Sequence, residues 1–383
     1  MRATLRALAV GNFTIGTGAF VVPGLLGPLA SDLNISVATA GQLMTVYAVS
    51  YAIGSPLLVS LTSHIRRREL LLTGLAVFAV GTLLSAAATN VWLLFAARVL
   101  AACGAAVFTP CASTVAVMTS APDARGKALG IVFFGLALAQ VIGIPVGTLI
   151  AYSLGWRATF AVIGVLAIIV AFGLAGRIPR ALEGQRVSLK SWAALLHDAR
   201  VALALGVTLF QFAGQFIPYT YIGPWAATSL QLGATGISAL LWAYGAASIP
   251  GGLIGGWCAD RFGVVRTLFV VLIVLGLSIA GMSAASGSLI GVVAALTLWS
   301  AAGFAYNAPQ QSRLVTLAPE ALGIVLAVNA SALYIGTAVG GAVGGLVVTH
   351  IGIDALGWVG GASVALAMLC FIGSASVPGP ARR

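Results

Sequence analysis

Residues 91–118 read VWLLFAARVLAACGAAVFTPCASTVAVM, a run whose only charged side chain is Arg98. As a helix rising 1.5 Å per residue it would extend about 40 Å, enough to cross a hydrocarbon core of about 30 Å. Similar runs follow outward on both sides, near 7–29, 41–62, 70–88, 128–152 and 158–176, then near 201–225, 237–259, 267–285, 288–311, 323–349 and 355–376. Short gaps carrying charge or turn residues divide them. Of 19 Lys and Arg and 8 Asp and Glu, Arg98 alone falls inside an apolar run. The expected fold is an all-α polytopic membrane protein with twelve transmembrane helices.

Composition excludes a soluble domain. Across 383 residues, 60% are hydrophobic and 7% charged, and the mean hydropathy is +1.08. A soluble fold needs charged content nearer about 25%. The net charge of +11 belongs to loops beside the spans, where basic residues mark the cytoplasmic side, so no nucleic-acid partner is expected. Arg2 and Arg6 precede an apolar run from Leu8 to Ala30 that is too long for a signal-peptide core and reads as the first span. Cys103, Cys111, Cys258 and Cys370 lie in or beside apolar helices without metal or disulfide spacing, so each reads as a small hydrophobe.

Placing the N-terminus in the cytoplasm puts Arg2/Arg6, Arg66–Arg68, Arg125/Lys127, Arg177/Arg180/Arg186/Lys190/Arg200, Arg261/Arg266, Arg313 and Arg382/Arg383 inside. Only Arg157 is left outside and Arg98 within the membrane, so both termini are expected to be cytoplasmic. Residues 1–176 form one six-helix bundle in this reading, 177–200 a cytoplasmic linker and 201–383 a second bundle. Ser188, Trp192, Leu195 and Leu196 allow a short interfacial helix in the linker, though a plain connection is the simpler reading. A fixed offset relates the bundles. Pro122-Asp123-Ala124-Arg125-Gly126 recurs 197 residues later as Pro319-Glu320-Ala321-Leu322-Gly323, and Gly54 maps onto Gly251. Parallel repeats about an axis normal to the membrane, with a binding site between them, are a known transporter plan.

The sharpest motif is Gly256-Trp257-Cys258-Ala259-Asp260-Arg261-Phe262-Gly263, with Arg266 beyond it, where span eight meets span nine. Asp260 can cap the next helix and pair with basic partners, while Gly256 and Gly263 permit close packing and a tight turn. With this spacing the chain resembles the major facilitator superfamily. Leu94-Phe95-Ala96-Ala97-Arg98 is similar to that family's arginine motif, and Asp123-Ala124-Arg125-Gly126-Lys127-Ala128 to its next inner loop. Gly135 through Gly143-Ile144-Pro145-Val146-Gly147 resembles its glycine–proline motif of antiporter branches. Gly155-Trp156-Arg157-Ala158-Thr159-Phe160 resembles an outer turn of twelve-span bacterial sugar and drug efflux permeases, the arabinose-efflux-permease-like group. The resemblance implies a monomer in the bacterial cytoplasmic (inner) membrane, without cofactor, metal or catalytic residue, whose partners are lipid and a small-molecule substrate. It also implies inner contacts at Gly256, Asp260, Arg261, Gly263, Arg266, Asp123 and Arg125, and a flexible span five at Gly143, Pro145 and Gly147, that form and break as the bundles rock.

Two departures count. The first-half counterpart of the Asp260 motif has Ser63 where an acid would stand. Relatives often carry an acid in a stretch resembling G-T-x-E-F, and here it reads Gly16-Thr17-Gly18-Ala19-Phe20. Nor does any other span hold an acid: Asp32 and Asp354 sit at outer ends, and Glu69, Asp123, Glu183, Asp198, Asp260 and Glu320 in inner loops. A buried carboxylate is the usual proton carrier because desolvation lifts its pKa. His350 can titrate, but sits near the end of span eleven.

Arg98 costs about 2.5–3.5 kcal/mol at a helix centre on insertion scales. Two compatible readings stay open: it bonds carbonyls of a neighbouring broken helix beside Gly143 and Pro145, or it meets a polar or anionic substrate group. Span seven supplies a polar stripe, Gln211, Gln215 and Tyr219 at four-residue spacing, with Tyr221 adjacent. Tyr47 and Tyr51 repeat the spacing on span two. Gln140, Tyr244, Asn307, Gln311, Asn329 and Tyr334 complete a candidate binding ring; for each, a helix–helix hydrogen bond or aromatic anchor is the plain alternative. Gly340-Gly341 and Gly344-Gly345 read as close-packing surfaces. With no membrane acid, the cavity is expected to disfavour cations. The expected function is a secondary active or facilitative transporter, exporting a small neutral or anionic organic solute by alternating access. A proton-coupled multidrug antiporter, or a transporter-like sensor without flux, are the alternatives. No phosphate-binding loop or catalytic motif supports an ATP-driven pump or an enzyme.

Overall fold

The computed structural model describes residues 2–62, 64–121, 124–179, 182 and 198–376. Ser63, Asp123, the linker positions Ser188, Trp192, Leu195 and Leu196, and Arg382/Arg383 lie outside the described residues. Among the described residues, eleven helices are long and apolar enough to cross a membrane, twelve when the bent pair Ala3–Phe20 and Val22–Asp32 counts as one span. Hydropathy placed them well: span four is Val91–Met118, span six Trp156–Ala175 and span nine Val264–Ala284. The bundle's outward surface is strongly apolar, with Trp92, Phe172 and Ile290 all more than three-quarters exposed, as lipid contact requires.

Four spans are interrupted, each for a local reason. Span one bends 46° at Val21, ahead of Pro23, which has no N–H for the carbonyl of Ala19. Span seven divides into Ala199–Thr220 and Ile222–Ser229 behind Pro218. Span ten divides at Tyr306 into Leu289–Ala305 and Asn307–Leu317, with Pro309 in the first turn of the second piece. Span five, Arg125–Leu138 and Ile144–Leu154, opens into a π-helical turn over Ala139–Gly143 ahead of Pro145. There the wider turn takes up the bond that proline cannot make.

The offset of 197 reappears in the backbone. Among the described residues, the two non-glycine positions with positive φ are Asn34 (52°) and Gln231 (53°), and among the glycines Gly155 (87°) is matched by Gly352 (120°). Span two starts at Val37 and span eight at Ala234; span three starts at Arg67 and span nine at Val264. The ends away from the termini are tied at matching positions by different chemistry. Trp156 Nε1 donates to Asp32 (3.1 Å), Arg157 pairs with the same carboxylate and donates to Ala88 O (3.0 Å). At the positions 197 after Asp32 and Arg157, Ser229 donates to Asp354 (2.5 Å), and nearby Ser283 donates to the Asp354 carbonyl (2.6 Å).

The end bearing Arg6, Arg66–Arg68, Arg177, Arg261 and Arg266 is termed the basic end, and the other the far end. Spans one to six meet spans seven to twelve along spans two and eleven, five and eight, and one and seven. Thr45 Oγ1 donates to Ala338 O (3.3 Å), Ser238 Oγ to Pro145 O (2.9 Å), and Tyr51 stacks on Tyr334 (centroids 3.7 Å). Of the glycines expected to pack closely, Gly341 lies against Thr45 and Gly345 against Gln42; Gly245 of span eight lies against the Gln140 carbonyl. Among the described residues, the hydrogen bonds and ring contacts joining the two sets fall between the far end and the midplane.

Candidate functional site

Arg98 is fully buried. Its Nη1 donates to Gly18 O (2.8 Å) and its Nη2 to Ala19 O (3.3 Å), while the guanidinium lies 4.3 Å from the Tyr47 ring centroid and 5.7 Å from that of Phe160. The broken-helix reading is therefore right in kind but wrong in place. The carbonyls belong to span one rather than to Gly143 and Pro145, because Pro23 strips Ala19 of its helical donor. These two bonds commit the Nη groups of Arg98 to span one. Nε alone lacks a partner, as does the buried Tyr47 hydroxyl.

The span-seven stripe does face an interior cluster. Gln215 Oε1 accepts from Trp299 Nε1 (3.1 Å) and Tyr244 OH (3.5 Å), and Tyr219 OH donates to Gln140 Oε1 (3.5 Å). The rings of Tyr219 and Tyr244 are 4.8 Å apart and those of Tyr244 and Trp299 5.3 Å, with Phe216 and Phe20 extending the wall. Gly303 admits the Gln215 amide, since a Cβ there would collide with it. One turn away, Gln211 is fully buried and neither amide atom has a partner. Within this cluster amides and aromatic faces are brought together from spans one, five, seven, eight and ten. It can hold a flat or hydroxylated neutral group through amide hydrogen bonds and ring contact.

Other expected residues sit elsewhere. Tyr221 is a far-end packing residue, its hydroxyl donating to Gly341 O (2.9 Å) and its ring against Gly41 and Gly344. Tyr51 and Tyr334 form the stacked pair near the midplane. Asn329 Oδ1 accepts from Thr208 (2.6 Å), which also contacts Tyr306 OH (3.0 Å) and accepts from Gln310 (3.1 Å). Gln310, not Gln311, is the buried glutamine of span ten, and Gln311 is exposed. Asn307 donates to Gly303 O (3.4 Å) and Phe304 O (3.3 Å) across that break. Trp299, Tyr306 and Thr208 had no sequence signal beyond lying in apolar runs.

At the inner motifs, Gly263 (φ 87°) makes the turn between spans eight and nine. Close packing comes from Gly251 and Gly255, against Ala301 and Ala305, and not from Gly256, beside which a Cβ would meet open space. Asp260 does not cap span nine, because span eight continues through Phe262 and Gly263 occupies the cap. Asp260, Arg261 and Arg266 are exposed and, among the described residues, form no ion pair. In span five Gly143 packs on Thr17 and Gly147 on Val21 and Thr159. Arg125 is exposed at the start of that span.

A sequence profile described as the Major Facilitator Superfamily matches residues 8–322 and 203–383. The chain belongs to the Major Facilitator Superfamily. It is thus a transporter rather than an enzyme. Among relatives, the superfamily chain is 32% identical over 362 residues to an uncharacterized MFS-type transporter, YbcL, of Bacillus subtilis, covering 94% of this chain and 93% of that one. To YdhP of Escherichia coli strain K12, named an inner membrane transport protein, it is 33% identical over 347 residues (90% and 88%). To a probable sugar efflux transporter of Mannheimia succiniciproducens it is 26% identical over 365 residues (95% and 92%).

Proposed function

We propose that this superfamily member exports a small neutral or anionic organic solute across the bacterial inner membrane, by rocking residues 1–176 against 201–383 about a site at the Gln215 cluster. The observation that carries this is the convergence of Gln215, Tyr219, Tyr244 and Trp299 with Gln140 from the other half, beside the unpartnered Gln211 amide. A buried amide without partners costs about 1–3 kcal/mol, a cost readily understood where a ligand supplies the missing bonds. The basic end is cytoplasmic by the positive-inside rule, and linking contacts confined to the far half fit a state opening to the cytoplasm. Among the described residues no carboxylate lies deeper than the end turn of a span, and Arg98, the cation deepest in a span, is committed to span one, so the cluster suits uncharged rings and hydroxyls. The sugar-efflux name of one relative agrees with that class.

The test uses proteoliposomes enclosing a pH-sensitive dye, exposed to pooled hydroxylated, aromatic, anionic and cationic solutes under an imposed pH gradient. Movement of a neutral hydroxylated or aromatic solute, with affinity at least tenfold weaker in Gln211→Ala/Gln215→Ala, is expected. Transport confined to cations, or unchanged affinity in that variant, would remove the site from this cluster. Substrate-triggered proton flux would show coupling without a membrane carboxylate; its absence would mark a facilitator or another coupling ion.

A further inference from the structure

At the basic end, away from the Gln215 cluster, a cavity of about 520 Å³ lies among spans three, four and five, lined by Arg67, Arg125, Ser113, Thr114, Val117 and Met118 among others. Its polar groups are two guanidiniums and two hydroxyls. Arg67 is only 6% exposed, yet its Nε has no partner and, among the described residues, its side chain makes no hydrogen bond or ion pair. Buried guanidiniums ordinarily find a carboxylate or carbonyl.

Two helix starts add to the same field. Span five begins at Arg125 behind Ala124 and, among the described residues, has no side-chain cap on its first N–H groups; span three begins at Arg67, likewise without a side-chain cap, though its first N–H donates to Leu182 O (2.9 Å) and Glu69 in its first turn pairs with Arg66 (3.7 Å). Uncapped N-termini carry partial positive charge and attract anions. The hydroxyls of Ser113 and Thr114 now donate to Thr109 O (3.1 Å) and Pro110 O (3.0 Å), and can turn toward an acceptor. Among the described residues no carboxylate lines this cavity.

We propose that this cavity is an oxyanion site, taking a phosphate or phosphate-like group between Arg67 and Arg125 with the two hydroxyls as further donors. Arg67 presents a fixed, partly desolvated guanidinium, and Arg125, exposed at the mouth, completes the pair. The fork geometry of guanidinium suits two oxygens of one phosphate. A free anion and the headgroup of an anionic phospholipid share this chemistry. The site stands whether or not the transport reading holds, since binding is read without flux.

The test measures thermal midpoints of the full-length protein in phosphatidylcholine nanodiscs against inorganic phosphate, with potassium chloride at matched ionic strength as control. Saturable stabilisation by phosphate but not chloride is expected, with apparent affinity at least tenfold weaker in Arg125→Gln, an exposed position whose change leaves the core intact. Ser113→Ala/Thr114→Val provides a second variant with intact charge and a smaller expected loss. Nanodiscs containing phosphatidylglycerol separate the sources: competition with phosphate assigns the site to a lipid headgroup, and unaltered phosphate affinity to a free anion. Equal responses to phosphate and chloride, or a phosphate response unchanged in Arg125→Gln, would overturn the proposal. So would phosphate binding that emerges only in Asp123→Asn, since the chain's own carboxylate would then be the occupant.

Discussion

Arg98 and Pro23 should be energetically coupled although one is on span four and the other on span one. Pro23 removes the donor that Ala19 O would receive, and Arg98 supplies the replacement at 3.3 Å. Arg98→Met removes both Nη donors and the ring contact with Tyr47 at similar side-chain length. Each carbonyl left bare in the interior costs about 1–3 kcal/mol and the cation–π contact about 1–2 kcal/mol. Relief from burying a cation returns about 2.5–3.5 kcal/mol, leaving Arg98→Met destabilised by about 2 kcal/mol. Pro23→Ala restores an N–H to span one, which can then pair with Ala19 O. In that background Arg98→Met strips one carbonyl rather than two, so a double-mutant cycle should give a coupling of about 1–2 kcal/mol, the double variant being more stable than the sum of the singles. The assay is equilibrium unfolding in mixed micelles, followed by circular dichroism, for the four proteins. Additivity within about 0.3–0.5 kcal/mol would refute the idea that Arg98 serves the proline break.

Adjacent glycines should differ sharply. Gly255→Ala forces a Cβ against the Ala305 backbone and should cost about 2 kcal/mol or more, while Gly256→Ala meets open space and should be neutral or stabilise by up to about 1 kcal/mol; unfolding midpoints of the two compare them directly. Gly263→Ala, at φ 87° in open surroundings, should cost about 1–2 kcal/mol from backbone strain alone, and a loss below about 0.5 kcal/mol would contradict the positive φ. Gln211→Leu should raise the thermal midpoint by removing an unpartnered amide, a gain of about 1 kcal/mol, while weakening solute binding. A destabilised Gln211→Leu would mean that the amide has protein partners.

How much of this was legible in the sequence follows from what hydropathy measures. It registers length and apolarity, so Val91–Met118 was readable to the residue, and the 197-residue offset that began with Pro122 and Gly54 proved to govern backbone dihedrals as well. It does not register a bend, so span one passed as continuous despite Pro23, and span ten despite Pro309. In span ten it is Gln310, not Gln311, that is buried. Arg98 was singled out by its cost, and a partner with freed carbonyls was anticipated. The wrong proline was chosen because distance between spans is not written in one span's pattern. Trp299 was silent for a related reason: an aromatic in an apolar helix has no periodic mark until Gln215 is seen to reach it from span seven.

The committed guanidinium of Arg98 has a consequence for membrane voltage. It lies deepest of the formal charges inside the spans, the others, buried Arg313 included, sitting within about four residues of a span end. A full elementary charge crossing 100 mV exchanges about 2.3 kcal/mol with the field. If rocking reshapes water access so that Arg98 senses even a tenth more of the potential drop, about 0.2 kcal/mol is transferred, shifting the balance of the two states by a factor of about 1.5. Reorientation of the empty carrier would then be voltage-sensitive, and transport of an uncharged solute would respond to the membrane potential without any ion crossing with it.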